Sequence, residues 1–179
     1  FAGVMWDYHK TYQNETWRPI AVEKGFSKLL YEDDENIFVY EGKPDLIAEV
    51  GSEIVGIDHK HQSKAYTIFE FNNQAMGYCW SLNLAYFVYN YIKFTKEDIF
   101  RRCTYKFTPA QLDQWHSDTI EWFFRAKHII SYRHYMRNWT CQNKFGVCDF
   151  APLCTQPSEN ARSWIAKSQF VQVKRYRSW

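Results

Sequence analysis

The chain has 179 residues, 46% of them hydrophobic and 20% aromatic, which suits one domain, or one with a small appendage, and a sizeable core. That content excludes a chain disordered throughout, and 7 Gly with 5 Pro exclude a collagen-like or linker-like one. The net charge of +2 hides an asymmetry, since residues 1–90 carry 7 basic and 13 acidic side chains and residues 91–179 carry 15 and 7. Such halves suit a polyanion on one and metal-binding carboxylates on the other; an uneven solvated surface is the plainer alternative.

The longest uncharged stretch, Phe71 to Ile92, holds Asn72, Asn73, Gln74, Ser81, Asn83 and Asn90, too many polar groups for a membrane span. Asp7, His9 and Lys10 interrupt any apolar run at the start, so no secretory leader is expected there. An opening Phe in place of Met points to a start further upstream. Five cysteines are too few for a disulfide scaffold. The sequons at Asn14 and Asn138 matter only in a secreted protein, and a reducing, cytoplasmic compartment is expected.

In chain order, residues 1–31 mix aromatics with charges, and Phe1 to Gln13 within them reads as a helix remnant. Glu32-Asp33-Asp34-Glu35 reads as a solvated acidic turn. Residues 37–60 read as strands, punctuated by Gly42-Lys43-Pro44 and by Gly51-Ser52. Residues 66–84 read as mostly helical, Tyr86 to Phe94 as a strand and Arg101 to Phe107 as another. Thr108 is a good helix cap with Pro109 just inside. Leu112, Trp115, Thr119, Trp122, Phe123 and Ala126 then recur at helical spacing, to about Met136. Trp122, Phe123 and Phe124 are assigned to the core. From Asn138 the pattern becomes a Cys-containing loop, and 155–179 a polar, basic tail. Strands leading into helices and further strands indicate a mixed α/β domain.

Gly-Ser at the centre of a two-residue loop suits a type II′ hairpin. Val50 then pairs with Glu53, and continuing that register sets Asp45 opposite Asp58. Directly opposed residues hold their Cβ atoms about 4.5–5.5 Å apart. Lys60, two residues on from Asp58, projects from the same face. Opposed carboxylates repel unless something lies between them, and a hard divalent cation takes carboxylate oxygens. The alternative is an exposed hairpin whose acids face water.

Pro44-Asp45 followed by Asp58-His59-Lys60 resembles the signature of the PD-(D/E)XK nuclease superfamily. Gln74-Ala75-Met76-Gly77-Tyr78 resembles the Gln-x-x-x-Tyr motif of its RecB-like branch, and Ala21-Val22-Glu23 the acidic element before the PD strand. The resemblance covers roughly residues 1–170 and is densest at 42–78. It implies a restriction-endonuclease-like α/β core, a short mixed central sheet flanked by helices. Residues 1–137 would form the nuclease core and 138–179 a Cys-containing C-terminal extension of the same domain.

The activity implied is divalent-metal-dependent DNA cleavage by an exonuclease acting on single-stranded or end-bearing DNA, in recombination, repair or phage DNA metabolism. By the resemblance Asp45 and Asp58 ligate Mg²⁺ or Mn²⁺, the His59 carbonyl adds an oxygen, and Lys60 orients or deprotonates water. Gln74 and Tyr78 would contact DNA or brace Lys60; an inward-packed Tyr is the alternative. RecB-like nucleases usually carry a His ligand four residues after a Gly in an N-terminal helix; here Asp7 stands at that distance from Gly3, with His9 two further on. Glu23 would ligate or orient. A catalytically degenerate DNA-binding module is the competing reading, and a partner subunit or helicase domain fits the family.

Cys141, Cys148 and Cys154, spaced C-x6-C-x5-C, resemble the late triad of the iron–sulfur-containing RecB-like branch, where a fourth, upstream Cys completes a 4Fe–4S cluster. Cys79 and Cys103 read as ordinary buried residues. Zn²⁺ completed by His134 or His128, or a loop without metal, remain alternatives. Arg101-Arg102 and the Lys174-Arg175 cluster are candidate phosphate contacts, or solvated charges, and Trp and Tyr side chains candidate stacking partners for unpaired bases.

Overall fold

A computed structural model describes residues 2–61, 72–93, 99–132, 142–143 and 146–171. The chain divides into two compact units, Phe1–Phe124 and Arg125–Trp179. The first contains α1 (Ala2–Thr11), β1 (Arg18–Val22), β2 (Phe26–Glu32), β3 (Ile37–Gly42), β4 (Leu46–Val50), β5 (Glu53–His61), α2 (Asn73–Leu82), β6 (Tyr86–Lys93), β7 (Ile99–Tyr105) and most of α3 (Pro109–Tyr132).

Five strands form one mixed sheet in the order β1-β4-β5-β6-β7, while β2 and β3 form a separate hairpin. Only β5 and β6 run parallel; the other neighbours are antiparallel. A parallel pair needs a crossover, and α2 lies within it. The β4–β5 register runs from Val50↔Glu53 to Leu46↔Ile57, as the turn arithmetic requires. Gly51 has a φ of +65° and Ser52 does not share the positive φ, the φ pattern of a type II′ turn.

The period-2 alternation of the strands assigns each side chain to a face. On one face Phe87, Tyr89, Tyr91, Cys103 and Tyr105 pack with Ala75, Tyr78 and Cys79 of α2. On the other, Ala48, Val55, Ile57 and Val88 pack with Trp17 and Leu46, and Tyr8 of α1 meets Phe100 edge-on at 5.4 Å. The sheet is thus covered on both sides, which explains strands too apolar for a half-solvated sheet. Asn72 caps α2 by accepting from the Ala75 N–H at 3.1 Å, and Asn83 ends it in the left-handed region. Thr108 and Gln111 form a reciprocal capping box at the start of α3. Trp115 of that helix packs with Met76 of α2 and Leu30 of β2.

The structure departs from the sequence reading at three places. Residues 14–31 contain β1 and β2, whose pairing with β4 and β3 overrides their charge-interrupted pattern. Both carry a register irregularity, in β1 between Pro19 and Ala21. The basic tail contains α5 (Glu159–Gln169), capped by the Ser158 hydroxyl. Trp122 is 68% exposed rather than core.

The second unit holds the end of α3, the small hairpin of β8 (Gln142–Asn143) and β9 (Gly146–Val147), α4 (Ala151–Cys154) and α5. Phe150 and Phe170 stack there at 5.5 Å. No helix of the described residues is long and apolar enough to cross a membrane.

Close packing on α2 yields a test. A Cβ at Gly77 would lie 2.6 Å from Cζ of Tyr40 and 2.9 Å from Cζ2 of Trp115, two rings already in edge contact. Gly77→Ala gains about 1 kcal/mol of helix propensity but overpacks, at a cost of about 1–3 kcal/mol. A lower urea midpoint than wild type is expected; a higher one would show that Tyr40 moves freely.

Candidate active site

Four of the motif residues converge on the α2 face of the sheet. Asp58, near the end of β5, is 5% exposed. Its Oδ2 lies 2.6 Å from Nζ of Lys60, yet has no hydrogen bond of proper geometry. Asp45 precedes β4, and continuing the register one step past Leu46↔Ile57 sets it opposite Asp58. Its Oδ2 accepts from the backbone N–H of His59 at 2.7 Å, which fastens this carboxylate to the strand carrying Asp58. Gln74, in the first turn of α2, donates from Nε2 to Asp58 Oδ1 and accepts on Oε1 from Lys60, both at 3.4 Å.

Two supporting residues are absent from the sequence motifs. Tyr89 pairs with Asp58 across the parallel β5–β6 ladder, and its hydroxyl lies 2.9 Å from both Gln74 Oε1 and Asn72 Oδ1. Lys60 Nζ sits 5.3 Å from the centre of the Tyr89 ring, within cation–π range. The signal in the sequence is only the aromatic alternation of β6; a parallel register cannot be read from turn length.

Burial holds the Asp58 carboxyl above its usual pKa; Lys60 offsets part of this and the Asp45 charge adds to it. Burial also pushes the Tyr89 hydroxyl up and the His59 imidazole down. His59 faces the opposite side of the sheet, where Nδ2 of the fully buried Asn90 lies 2.8 Å from its Nδ1 and 2.5 Å from the Tyr8 hydroxyl. The donor set at Asp45 and Asp58 suits a hard divalent cation: two carboxylates, one with a buried oxygen lacking a hydrogen bond. No group of three or more His, Cys, Asp or Glu side chains placed to hold a metal occurs among the described residues.

The remaining predicted residues lie elsewhere or play other parts. Tyr78 is 6% exposed and packs edge-on against Phe26 at 5.6 Å and against Phe87 at 5.3 Å, so it buttresses α2 from within the core. Asp7 is exposed on α1, the helix whose Tyr8 serves the opposite face of the sheet. Glu23, at a positive φ of 44°, pairs its exposed carboxylate with Lys43 at 3.1 Å, while its N–H binds the Asp45 carbonyl at 2.9 Å. Arg102 pairs with Glu15 and lies 3.7 Å from the Tyr12 ring centre and 4.0 Å from that of Trp17. It thereby ties the segment after α1 to β7. Arg101 is exposed, and Cys148 and Cys154 are half-buried around α4. Cys141, Lys174 and Arg175 lie outside the described residues.

No family model and no curated protein matches the chain. Among solved structures it is similar to the crystal structure of SSO0001, with a TM-score of 0.44 and 13% identity over 67% of this chain and 58% of that one.

The buried carboxyl gives a signed pH dependence. A carboxyl whose folded pKa is raised stabilises the fold while protonated, and that contribution is lost as pH climbs from the ordinary carboxylate value, about 4, through the raised one. Asp58→Asn, which cannot ionise, is expected to melt higher than wild type at neutral pH, with the gap closing toward acid. His59 has the opposite sign, its contribution being present above about 6.5 and lost as pH falls; the Asp58 charge favours the protonated imidazole, so removing it makes the variant lose more toward acid and adds to the closing of the gap. Melting curves across pH by circular dichroism read the difference; parallel curves would remove burial of Asp58 as a destabilising element.

Proposed function

We propose that this chain is a divalent-metal-dependent deoxyribonuclease of the PD-(D/E)XK type, with a restriction-endonuclease-like core of the RecB-like branch. The observation that carries the reading is the convergence of Asp45, Asp58, Lys60 and Gln74 on one sheet face, with the Asp58 carboxylate buried beside Lys60 at 2.6 Å. A pure binding surface for phosphates gains nothing from two carboxylates at this point, since both repel the ligand.

Asp45 and Asp58 would hold Mg²⁺ or Mn²⁺, which when bound supplies an acidified water and positive charge for the phosphoryl oxygens. The chain's own residues do the rest. The His59 N–H fixes the Asp45 carboxylate. Gln74 holds Asp58 and Lys60 in register and is itself held by the Tyr89 hydroxyl. The Lys60 ammonium, with a side chain 36% exposed, remains open to a phosphodiester and offsets negative charge as the nucleophile adds.

The competing module that binds DNA without cutting it rests on Asp7, an exposed carboxylate where a His ligand is usual. End-labelled single- and double-stranded DNA, incubated with EDTA, Mg²⁺ or Mn²⁺, decides between them. Metal-dependent cutting by wild type and a loss of about 100-fold or more in Lys60→Ala and Asp58→Ala is expected, the scale of a lost transition-state electrostatic contact. Retained binding with no cutting under any metal selects the module.

The cysteines carry a second proposal: Cys141, Cys148 and Cys154 hold a 4Fe–4S cluster, with a fourth thiolate from outside this sequence. Protein purified without oxygen is expected to be brown, and Cys148→Ser to lose both the colour and several degrees of melting temperature. A colourless protein that carries zinc, or one whose melting is unchanged in the variant, overturns it.

A further inference from the structure

Tyr89 is 1% exposed, and its hydroxyl lies 2.9 Å from two oxygens, Asn72 Oδ1 and Gln74 Oε1. A phenol has one proton to donate and keeps it at neutral pH. Both neighbours can be served at once only if one amide turns its nitrogen toward Tyr89. The surroundings of each amide forbid that.

Asn72 cannot turn, because its Oδ1 also accepts the Ala75 N–H at 3.1 Å in the cap of α2, and a backbone N–H needs an oxygen there. Gln74 cannot turn either. Its Oε1 lies 3.4 Å from Nζ of Lys60, which only donates, and its Nε2 lies 3.4 Å from Oδ1 of Asp58. Turned over, the amide would set its NH₂ against the ammonium and its oxygen against the carboxylate. The Tyr89 ring is itself held in place, in edge contact with Phe87 at 5.3 Å and Tyr105 at 5.4 Å. Two fixed acceptors therefore flank a single proton, and what Asn72 takes Gln74 loses. The contacts of Gln74 with Asp58 and Lys60 are long, so the shorter one with Tyr89 has the greater say in where the amide sits.

We infer that Tyr89 is a positioning residue of this site, setting the Gln74 amide and through it Lys60 and Asp58, and that Asn72 weakens this hold by competing for the same proton. Its effect on turnover rests on the nuclease reading of the site; the competition itself rests only on the contacts of these side chains. Asn72 thus joins two tasks in one oxygen, starting α2 and tuning how firmly the first turn of that helix grips the acid and the lysine.

Two variants of the whole chain are expected to move turnover in opposite directions. Tyr89→Phe keeps the ring and removes the proton. Asn72→Ser keeps a good cap for α2 on a shorter side chain that leaves the proton to Gln74. On end-labelled DNA with Mg²⁺, kcat should fall about tenfold in Tyr89→Phe, the worth of one neutral hydrogen bond, and rise about twofold in Asn72→Ser. KM should stay within about twofold of wild type in both, since neither residue touches substrate. A purely structural role would lower the melting temperature and raise kcat in neither. The side-chain NH₂ signals of Gln74, assigned by their absence from Gln74→Glu, read the same contact by NMR without DNA or metal. Their exchange with water should be faster than wild type in Tyr89→Phe and slower in Asn72→Ser. Wild-type kcat in Tyr89→Phe, a change confined to KM, or a kcat at or below wild type in Asn72→Ser overturns the inference. Amide exchange that shifts as stated in a protein that cuts no DNA keeps the positioning of Gln74 and loses the nuclease. Lys60-dependent cutting with the same amide exchange in all three proteins keeps the nuclease and loses the positioning.

Discussion

A two-residue turn at Gly51-Ser52 governs the chemistry of this domain. Because side chains alternate along a strand, the pairing of Val50 with Glu53 decides which face receives Asp58 and Lys60 and whether Asp45 meets them. Slipping the pairing by one residue would send Val55, Ile57 and His59 toward α2 and turn Asp58 and Lys60 away from it. The apolar residues of β5 and the acid residues are therefore locked by one constraint: the register that buries Val55 and Ile57 on one face is the register that gathers the carboxylates on the other. The turn needs a positive φ at its first central residue, and Gly51 provides it without the strain a side chain would meet.

Around this hairpin the remainder of the domain acts as a frame with two sides. On the α2 side, Tyr78 wedges into the core and its ring occupies the space beside Gly42, 2.5 Å from where a Cβ would stand. That packing aims the first turn of α2, and with it Gln74, at Asp58. On the α1 side, Arg102 gathers Glu15, Tyr8, Tyr12 and Trp17, and Asn90 passes the contact through to His59. Since the His59 backbone holds Asp45, both sides of the sheet end on the same pair of acids. Burial disfavours the charged form of Asp58, Lys60 offsets part of that and Gln74 donates to its other oxygen, a balance that removal of either partner disturbs.

What the sequence discloses follows the range of the interactions involved. The β4–β5 register and the sharing of a face by Asp45, Asp58 and Lys60 are legible because a short turn sets them locally. The capping of α3 by Thr108 and Gln111 is legible for the same reason. Tyr89 is not, because its place beside Asp58 depends on a parallel register set by packing across a crossover. Arg102 reads as a loose basic residue until Tyr12 and Trp17, distant in the chain, close on it. β1 escapes detection since Arg18 and Pro19 break the alternation, and its strand character comes from β4. Trp122 shares the helical spacing of Trp115, yet one ring is buried and the other largely exposed; periodicity assigns a helix face without saying how deeply each residue is buried.

The outer edge of the sheet shows how the fold limits its own growth. β1 pairs with β4 on one side only and carries the exposed apolar side chains Ile20 and Val22, the features that invite another strand to dock. Pro19 has no N–H to offer such a strand, and the pairing register shifts just after it. A neighbouring strand thus meets a ladder interrupted at Pro19. Among the described residues the sheet ends here, its exposed apolar edge short of one backbone donor.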